Sequence, residues 1–265
     1  MAFTNAVIWI TGASSGIGEA IALELGRTKA CKLVLSARRE DELERVAKQT
    51  RLSYSDVLIL PMDMSDTASM VAHTETVLQR FGRIDYVFQN AGISQRSMVV
   101  DTDLAVYRQL MEVNFFGVIA LTKAILPVML AQGKGHFVVT SSVAGKLGTK
   151  QRSGYSASKH ALHGFFDSLR AETHDAGLRV TIVCPGYIRT AISFNALEAD
   201  GRAHGVMDEN QDKGMTPDEL ARQLLRAVEQ EKEEVYIGGS EIYGIYLKRF
   251  FPRMLSRILR KRKGT

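Results

Sequence analysis

The sequence predicts an α/β fold: a doubly wound, mostly parallel seven-stranded sheet with helices on both faces. Three observations predict it. Short apolar, β-branched runs alternate with stretches of helical period along almost the whole chain. The first run is joined to the first helical pattern by a glycine-rich turn. No Pro-, Gly- or Ser-rich linker and no internal repeat divides the 265 residues. Strands covered on both faces read as continuous Val/Ile/Leu runs, and a strand–helix–strand order implies right-handed crossovers in an open sheet.

The strand runs are 6–10, 32–36 (KLVLS), 57–60 (VLIL), 84–88 (IDYVF), 136–140 (HFVVT), 179–184 (RVTIVC) and 235–237 (VYI). Their length and composition suit strands rather than buried helix segments. Helical periods occupy about 18–29, 40–53, 67–80, 103–131, 154–174 and 217–231. Several helix ends have a local cause. Gly82, Gly133 and Gly135 stop helices, and Thr216-Pro217-Asp218-Glu219 combines an N-cap, a first-turn proline and a capping box. One domain over 1–246 is expected, followed by a basic, amphipathic tail over 247–265. Residues 187–215 hold no sustained period. They read either as a flap over a binding site or as a plain surface insertion.

With 45% hydrophobic and 24% charged residues the chain is neither disordered nor membrane-embedded overall. Its net charge of +5 is local. Eight Lys and Arg fall between Lys248 and Thr265, leaving 26 basic against 29 acidic residues elsewhere, which argues against nucleic acid held across the domain. Cys31 and Cys184 lie in strand-like runs and read as buried free thiols of a reducing compartment; a cytoplasmic protein is expected. The six histidines show no metal-ligand spacing, so no metal is expected. The amino terminus has no basic flank and only a short apolar run, and it reads as the first strand, not a signal peptide.

TGASSGIG, residues 11–18, carries the first chemical signal. Glycines at 12, 16 and 18 permit backbone angles or close contacts that a Cβ forbids, while the free N–H groups and dipole of the following helix favour an anion. The spacing is G-x-x-x-G-x-G, which is neither G-x-G-x-x-G nor a P-loop. The second signal is GYSASK: Tyr155 and Lys159 stand four apart and share a helix face. Alone, that pair is as ordinary on a helix surface as it is catalytic. The third is FVVTSSVAG, where Ser141 and Ser142 follow a strand at its carboxyl end, the edge at which open α/β sheets bind ligands.

Taken together in this order and spacing, Thr11-Gly12 through Gly18, Gln89-Asn90-Ala91-Gly92, Asn114, Ser142, Tyr155, Lys159, Pro185-Gly186 and Thr190 resemble the short-chain dehydrogenase/reductase family over roughly residues 5–240. The one departure is Gln89, where the family pattern begins N-N-A-G. The resemblance implies a Rossmann-like sheet and hydride transfer between a nicotinamide and a carbonyl or alcohol carbon. It assigns Tyr155 the proton transfer and gives Ser142 the hydrogen bond to the substrate oxygen. Lys159 is expected to lower the pKa of the tyrosine, and Asn114 to anchor a water that relays protons to Lys159. A second reading of Asn114 is a satisfied polar residue bending its helix. The implied cofactor contacts are Gly12, Ser14, Ser15, Gly16, Ile17 and Gly18 in the turn, then Asp63 and Met64, then Asn90, Ala91 and Gly92. Pro185, Gly186, Ile188 and Thr190 follow, with Tyr155 and Lys159. A homodimer or homotetramer through the helices at 103–131 and 154–174 is also implied.

The second strand ends KLVLSARRE. Ala37 stands where NAD-preferring relatives carry an acid, and Arg38 and Arg39 follow. Arginine is the wrong sign for a helix start but the right one for a 2′-phosphate, so NADP is expected over NAD, with Arg38 the stronger contact. His160 and His163 read as packing or surface residues. Leu147, Gln151 and Tyr187 are expected to border a small-molecule substrate of unspecified class. In the tail, Met254, Leu255, Ile258 and Leu259 lie on one helical side and Arg253, Arg257, Arg260 and Lys261 on another. Two readings stand for it: attachment to an anionic membrane surface, or packing on the domain or on a partner subunit. A non-catalytic cofactor-binding protein on the same fold is the competing reading of the whole, as is a lipid-surface protein acting through its tail.

Overall fold

The computed structural model describes residues 3–28 and 30–261. Seven strands form one parallel sheet in the order β3-β2-β1-β4-β5-β6-β7. They are β1 (Val7–Thr11), β2 (Lys32–Ser36), β3 (Val57–Ile59), β4 (Tyr86–Gln89), β5 (Gly135–Thr140), β6 (Leu178–Pro185) and β7 (Glu234–Ile237). From β1 the chain winds outward through β2 and β3, returns to the other side at β4, and continues outward to β7. The strand order therefore reverses between β1 and β4, and their carboxyl ends flank the crevice where doubly wound sheets hold ligands.

The helices are α1 (Gly16–Thr28), α2 (Glu40–Gln49), α3 (Met70–Phe81), α4 (Leu104–Met111), α5 (Gly117–Gln132), α6 (Ser153–Thr173), α7 (Glu209–Asp212), α8 (Pro217–Glu229), α9 (Tyr243–Phe250) and α10 (Pro252–Lys261). Alternation along the strands divides the core in two. Ile8, Ile10, Leu33 and Leu35 pack with α1, α2 and α8 on one face. Val7, Trp9, Val34, Val87 and Phe137 pack with α3, α5 and α6 on the other. Each strand is apolar on both sides for this reason, and each full side-chain burial contributes roughly 1.5–3 kcal/mol.

The helical stretch expected at 103–131 is interrupted. Between α4 and α5, residues Glu112–Phe116 form a π-turn, and Asn114 sits in it. Such turns inside α-helices are rare and often mark functional sites, and here the turn carries Asn114 out to partners on other elements. Its Oδ1 accepts from Ile93 N–H (2.8 Å), and its Nδ2 donates to Ile93 C=O (2.9 Å) and Ser158 Oγ (3.0 Å). The span Leu104–Gln132 is long and apolar enough to cross a membrane by length and composition. In the fold, however, it packs its buried residues against the sheet.

The chain end also differs from the expected division. The expected junction near 246 falls inside α9. Leu255 is buried against Val143, Leu147 and Ile245, with Leu247 and Leu259 beside them. Residues 262–265 of the basic tail, and residue 29 at the end of the first expected helix, lie outside the described residues.

Candidate active site

The glycine turn is built against β4. Gly12 and Gly16 have φ of +67° and +59°, the left-handed region that side chains avoid. A Cβ on Gly12 would lie 2.9 Å from Ala91 Cα, and one on Gly18 would run into the Gly12 carbonyl oxygen. Gly18 therefore lets α1 close onto the turn rather than facing the cleft. Thr11 locks the two segments together, its Oγ1 accepting from Asn90 N–H (3.0 Å) and Ala91 N–H (3.1 Å). Gln89, the departure from the family pattern, turns into the core and donates to Val118 C=O and Thr122 Oγ1. That leaves Asn90, Ala91 and Gly92 to face the crevice.

A cleft of about 610 Å³ opens above this turn. Gly12, Ser14, Ser15, Gly16 and Ile17 form one wall, and Arg38 and Arg39 stand at its outer end with Asp63 and Met64. Asn90, Ala91 and Gly92 form the floor beside β4. Tyr155, Lys159, Pro185, Gly186, Ile188 and Thr190 close the inner end. Of the expected contacts only Gly18 and Asn114 stand behind the lining. The Asp63 carboxyl is held below its usual range, first by the Ser65 N–H (2.8 Å), with the Ser65 hydroxyl and the charge of Arg38 acting the same way. Arg39 reaches Ser14 Oγ at 3.5 Å, and Arg38 is exposed. An anionic, elongated ligand fits this wall: free N–H groups at a helix start, then two guanidiniums.

The inner end brings Ser142, Tyr155 and Lys159 together. Tyr155 and Lys159 are almost fully buried on α6, and Lys159 Nζ lies 5.9 Å from the centre of the Tyr155 ring. Nζ donates to Thr140 C=O at 2.7 Å, at the carboxyl end of β5. Burial pulls the Lys159 ammonium down to about 8. Burial likewise pushes the Tyr155 phenol above its ordinary value; a hydrogen bond with Ser142 and the charges of Arg152 and Arg96 oppose the rise. The expected source of phenol acidity, Lys159, is not among the groups that oppose the rise; Ser142 and two arginines are. The Ser142 hydroxyl accepts from Ala144 N–H (3.1 Å) and lies 3.5 Å from Pro185 C=O, which fixes it beside the phenol.

A sequence profile described as short chain dehydrogenase matches residues 6–200. The chain belongs to that family. It is 41% identical to a Drosophila melanogaster protein named "Dehydrogenase/reductase SDR family protein 7-like" over 97% of this chain and 80% of that one. Among solved structures, levodione reductase superposes with a TM-score of 0.80 at 29% identity, covering 91% of this chain and 99% of that one. An alcohol dehydrogenase from Thermococcus sibiricus, complexed with 5-hydroxy-NADP, gives 0.76 at 29% identity over 89% and 97%. As a short-chain dehydrogenase, this chain is an oxidoreductase that works with a nicotinamide dinucleotide, and its cleft has the polarity and shape such a ligand needs.

A second cavity of about 260 Å³ adjoins the cleft and shares Ser142, Arg152, Pro185 and Gly186 with it. Of the residues expected to border a substrate, Leu147 and Tyr187 line this cavity and Gln151 does not. Its far wall is formed by Leu247, Leu255, Ile258 and Leu259 of α9 and α10. The 187–215 segment covers the cleft and is pinned to it: Leu197 exchanges backbone hydrogen bonds with Ser94 and Arg96 (both 2.8 Å), and Asp208 pairs with Arg96. Arg96, Arg152 and Asp208 were not among the expected site residues. They are far apart in the chain and carry no motif, so only the fold brings them together. His163 bonds Ser141 Oγ (2.9 Å) and lies 3.6 Å from Glu234. Cys184 is 3.7 Å from the same imidazole. These three could approach a metal, but Lys146 already neutralises Glu234 at 2.8 Å.

Proposed function

We propose that the protein is an NADP(H)-preferring oxidoreductase for a carbonyl or secondary-alcohol substrate, with Tyr155 as the proton donor or acceptor. The observation that carries this reading is the position of Tyr155: a buried phenol at the inner end of the cleft, hydrogen-bonded by Ser142, which also lines the second cavity. The bound nicotinamide supplies or accepts the hydride. Ser142 holds the substrate oxygen, and the Tyr155 hydroxyl gives that oxygen a proton in reduction or takes one in oxidation. Lys159, with Asn114 behind it, holds the polar path that returns the proton. Arg38 and Arg39 support NADP because a 2′-phosphate needs cations and Ala37 offers no carboxylate to the ribose hydroxyls.

Two measurements test the reading. Titration of protein fluorescence with NADPH and NADH is expected to give tighter NADPH binding, and Arg38→Asp is expected to weaken NADPH by about tenfold to hundredfold while sparing NADH. Turnover over a panel of ketones, aldehydes and alcohols is expected to vanish in Tyr155→Phe with cofactor affinity kept. NADPH binding with no turnover on any of them would favour a non-catalytic cofactor-binding protein.

A second reading concerns location and assembly. Phe250, Phe251, Met254 and Ile258 are exposed beside Arg253 and Arg257, and Ile258 also lines the second cavity. This supports a cytoplasmic enzyme resting on an anionic membrane surface and taking an apolar substrate. Sedimentation with anionic and neutral vesicles tests it, the anionic ones retaining protein in a salt-sensitive way. The apolar positions of α4, α5 and α6 support a homodimer or homotetramer, which light scattering tests.

A further inference from the structure

His163 reads from the sequence as a packing or surface residue, yet the fold surrounds its ring with polar groups close to the site. It lies on α6 one turn beyond Lys159 and is buried. Its Nε2 meets Ser141 Oγ at 2.9 Å and Cys184 Sγ at 3.7 Å, while Nδ1 faces Glu234 Oε2 at 3.6 Å. Glu234, on the edge strand β7, is held in turn by Lys146 Nζ (2.8 Å) and by the Tyr236 hydroxyl. The contacts therefore run from β7 through α6 to the end of β5.

Ser141 is where they reach the site. Thr140, Ser141 and Ser142 are consecutive, and the first two hold Lys159 from both ends. Lys159 Nζ donates to Thr140 C=O (2.7 Å), and the Lys159 carbonyl accepts from Ser141 Oγ (3.2 Å). A hydroxyl has one proton and two lone pairs, so Ser141, having given its proton to Lys159, accepts from His163 Nε2–H. The Ser141 N–H is engaged as well, on Val183 C=O at 2.7 Å. The junction is tightly closed. A Cβ on Gly145 would collide with Ser141 Oγ and lie 3.0 Å from the Lys159 carbonyl oxygen and 3.2 Å from His163 Nε2. Serine, histidine and glutamate in this order also make a nucleophilic triad. Here the hydroxyl points at the Lys159 main chain and is engaged from both sides, so the arrangement serves position rather than attack.

We propose that His163 is a positioning residue for the reaction: by fixing Ser141 it locks the Lys159 main chain to the end of β5, and with it the placement of the Lys159 ammonium and the Ser142 hydroxyl. The inference rests on Ser142, Tyr155 and Lys159 being the reacting set. Glu234, anchored by Lys146 and Tyr236, keeps the ring turned so that Nε2 meets Ser141. Without that contact Ser141 is free to rotate away from the Lys159 carbonyl, and a small misplacement of reacting groups is costly in rate.

Three variants test it. His163→Phe keeps the bulk of the ring and removes the donor, His163→Gln keeps an N–H at the Nε2 end, and Ser141→Ala removes the joint itself. His163→Phe is expected to lower kcat about tenfold to hundredfold, with KM and NADPH affinity within about twofold of wild type. His163→Gln should recover most of the loss. Ser141→Ala should match His163→Phe, and the double variant should be no slower than either single one, because both remove the same link. Crystal structures of wild type and His163→Phe give a reading that does not depend on turnover: the Lys159 Nζ bond to Thr140 C=O is expected to be lost in the variant. If wild type turns over no carbonyl compound, the proposed activity fails and the crystal comparison still decides the positioning. An unchanged kcat in His163→Phe would overturn the proposal, as would a Lys159 that keeps its place in the crystal. Losses that multiply in the double variant would also overturn it, because they would mark two separate defects of packing. If His163→Phe does not fold, the kcat and the crystal structure of Ser141→Ala decide in its place.

Discussion

Asn114 and Ile93 exchange two hydrogen bonds, side chain to backbone, across a π-turn. Oδ1 takes the Ile93 N–H and Nδ2 serves the Ile93 carbonyl, while a third bond reaches Ser158 on α6. Asn114 therefore ties the strand segment carrying Asn90–Gly92 to the helix carrying Tyr155 and Lys159. Its replacement by leucine strands two backbone groups of Ile93, one donor and one acceptor. A loss of about 2–4 kcal/mol in stability is expected by urea denaturation, together with a fall in turnover larger than any change in cofactor affinity. Stability within about 0.5 kcal/mol of wild type would refute this account.

Gly18 offers a sharper steric test. A Cβ there meets the Gly12 carbonyl oxygen and the Asn90 side chain, so Gly18→Ala forces α1 away from the turn. The expected result is at least tenfold weaker NADPH binding, read by fluorescence titration, because the first N–H groups of α1 no longer point at the ligand. Gly82→Ala is the control, since nothing lies within 4 Å of a Cβ there; its φ of +74° confines the cost to backbone strain far from the cleft.

The sheet was legible because its inner strands are buried on both sides and therefore largely apolar: VIWIT and most of LRVTIVCP carry their burial in their composition. The turn, Ser142, Tyr155 and Lys159 were legible because spacing within one turn of chain or helix preserves their geometry. The π-turn at Glu112–Phe116 was not, because one extra residue in a hydrogen-bonded ring leaves the apolar pattern of the helix almost unchanged. The Arg96–Asp208–Arg152 cluster was hidden for a different reason: Arg96 and Asp208 are 112 residues apart, and no local periodicity carries such a contact. α9 went unread because YGIYLKRF is short and only Ile245 is buried.

The wall between α10 and the second cavity leads to a prediction about substrate choice. Leu255 is 7% exposed, packs with Val143 and Leu147, and lines the cavity beside Ser142. Leu255→Ala is expected to cost about 2–3 kcal/mol in stability and to widen the pocket. With a panel of ketones of increasing chain length, the ratio of kcat/KM for long over short members should rise in this variant. An unchanged ratio would show that α10 takes no part in substrate selection.

His136 predicts the pH dependence of stability. It lies at the start of β5, stacked at 5.7 Å beside Tyr86, and its Nε2 is 2.8 Å from Thr181 Oγ1. The Thr181 hydroxyl gives its own proton to Lys232 C=O (2.6 Å), so it accepts from Nε2–H of the ring. Burial pushes the imidazole down to about 4 from an ordinary value of 6.5. Between those two values the unfolded chain binds a proton that the folded chain refuses. Stability from this group is therefore complete above pH 6.5, falls as pH drops toward 4, and is flat below it. The whole effect is about 3 kcal/mol, from 1.36 kcal/mol per pH unit. Urea denaturation at intervals from pH 7.5 to 4 is expected to show this decline, and His136→Gln, which has no proton to gain, should flatten it. An equal decline in both proteins would place the acid sensitivity on other groups.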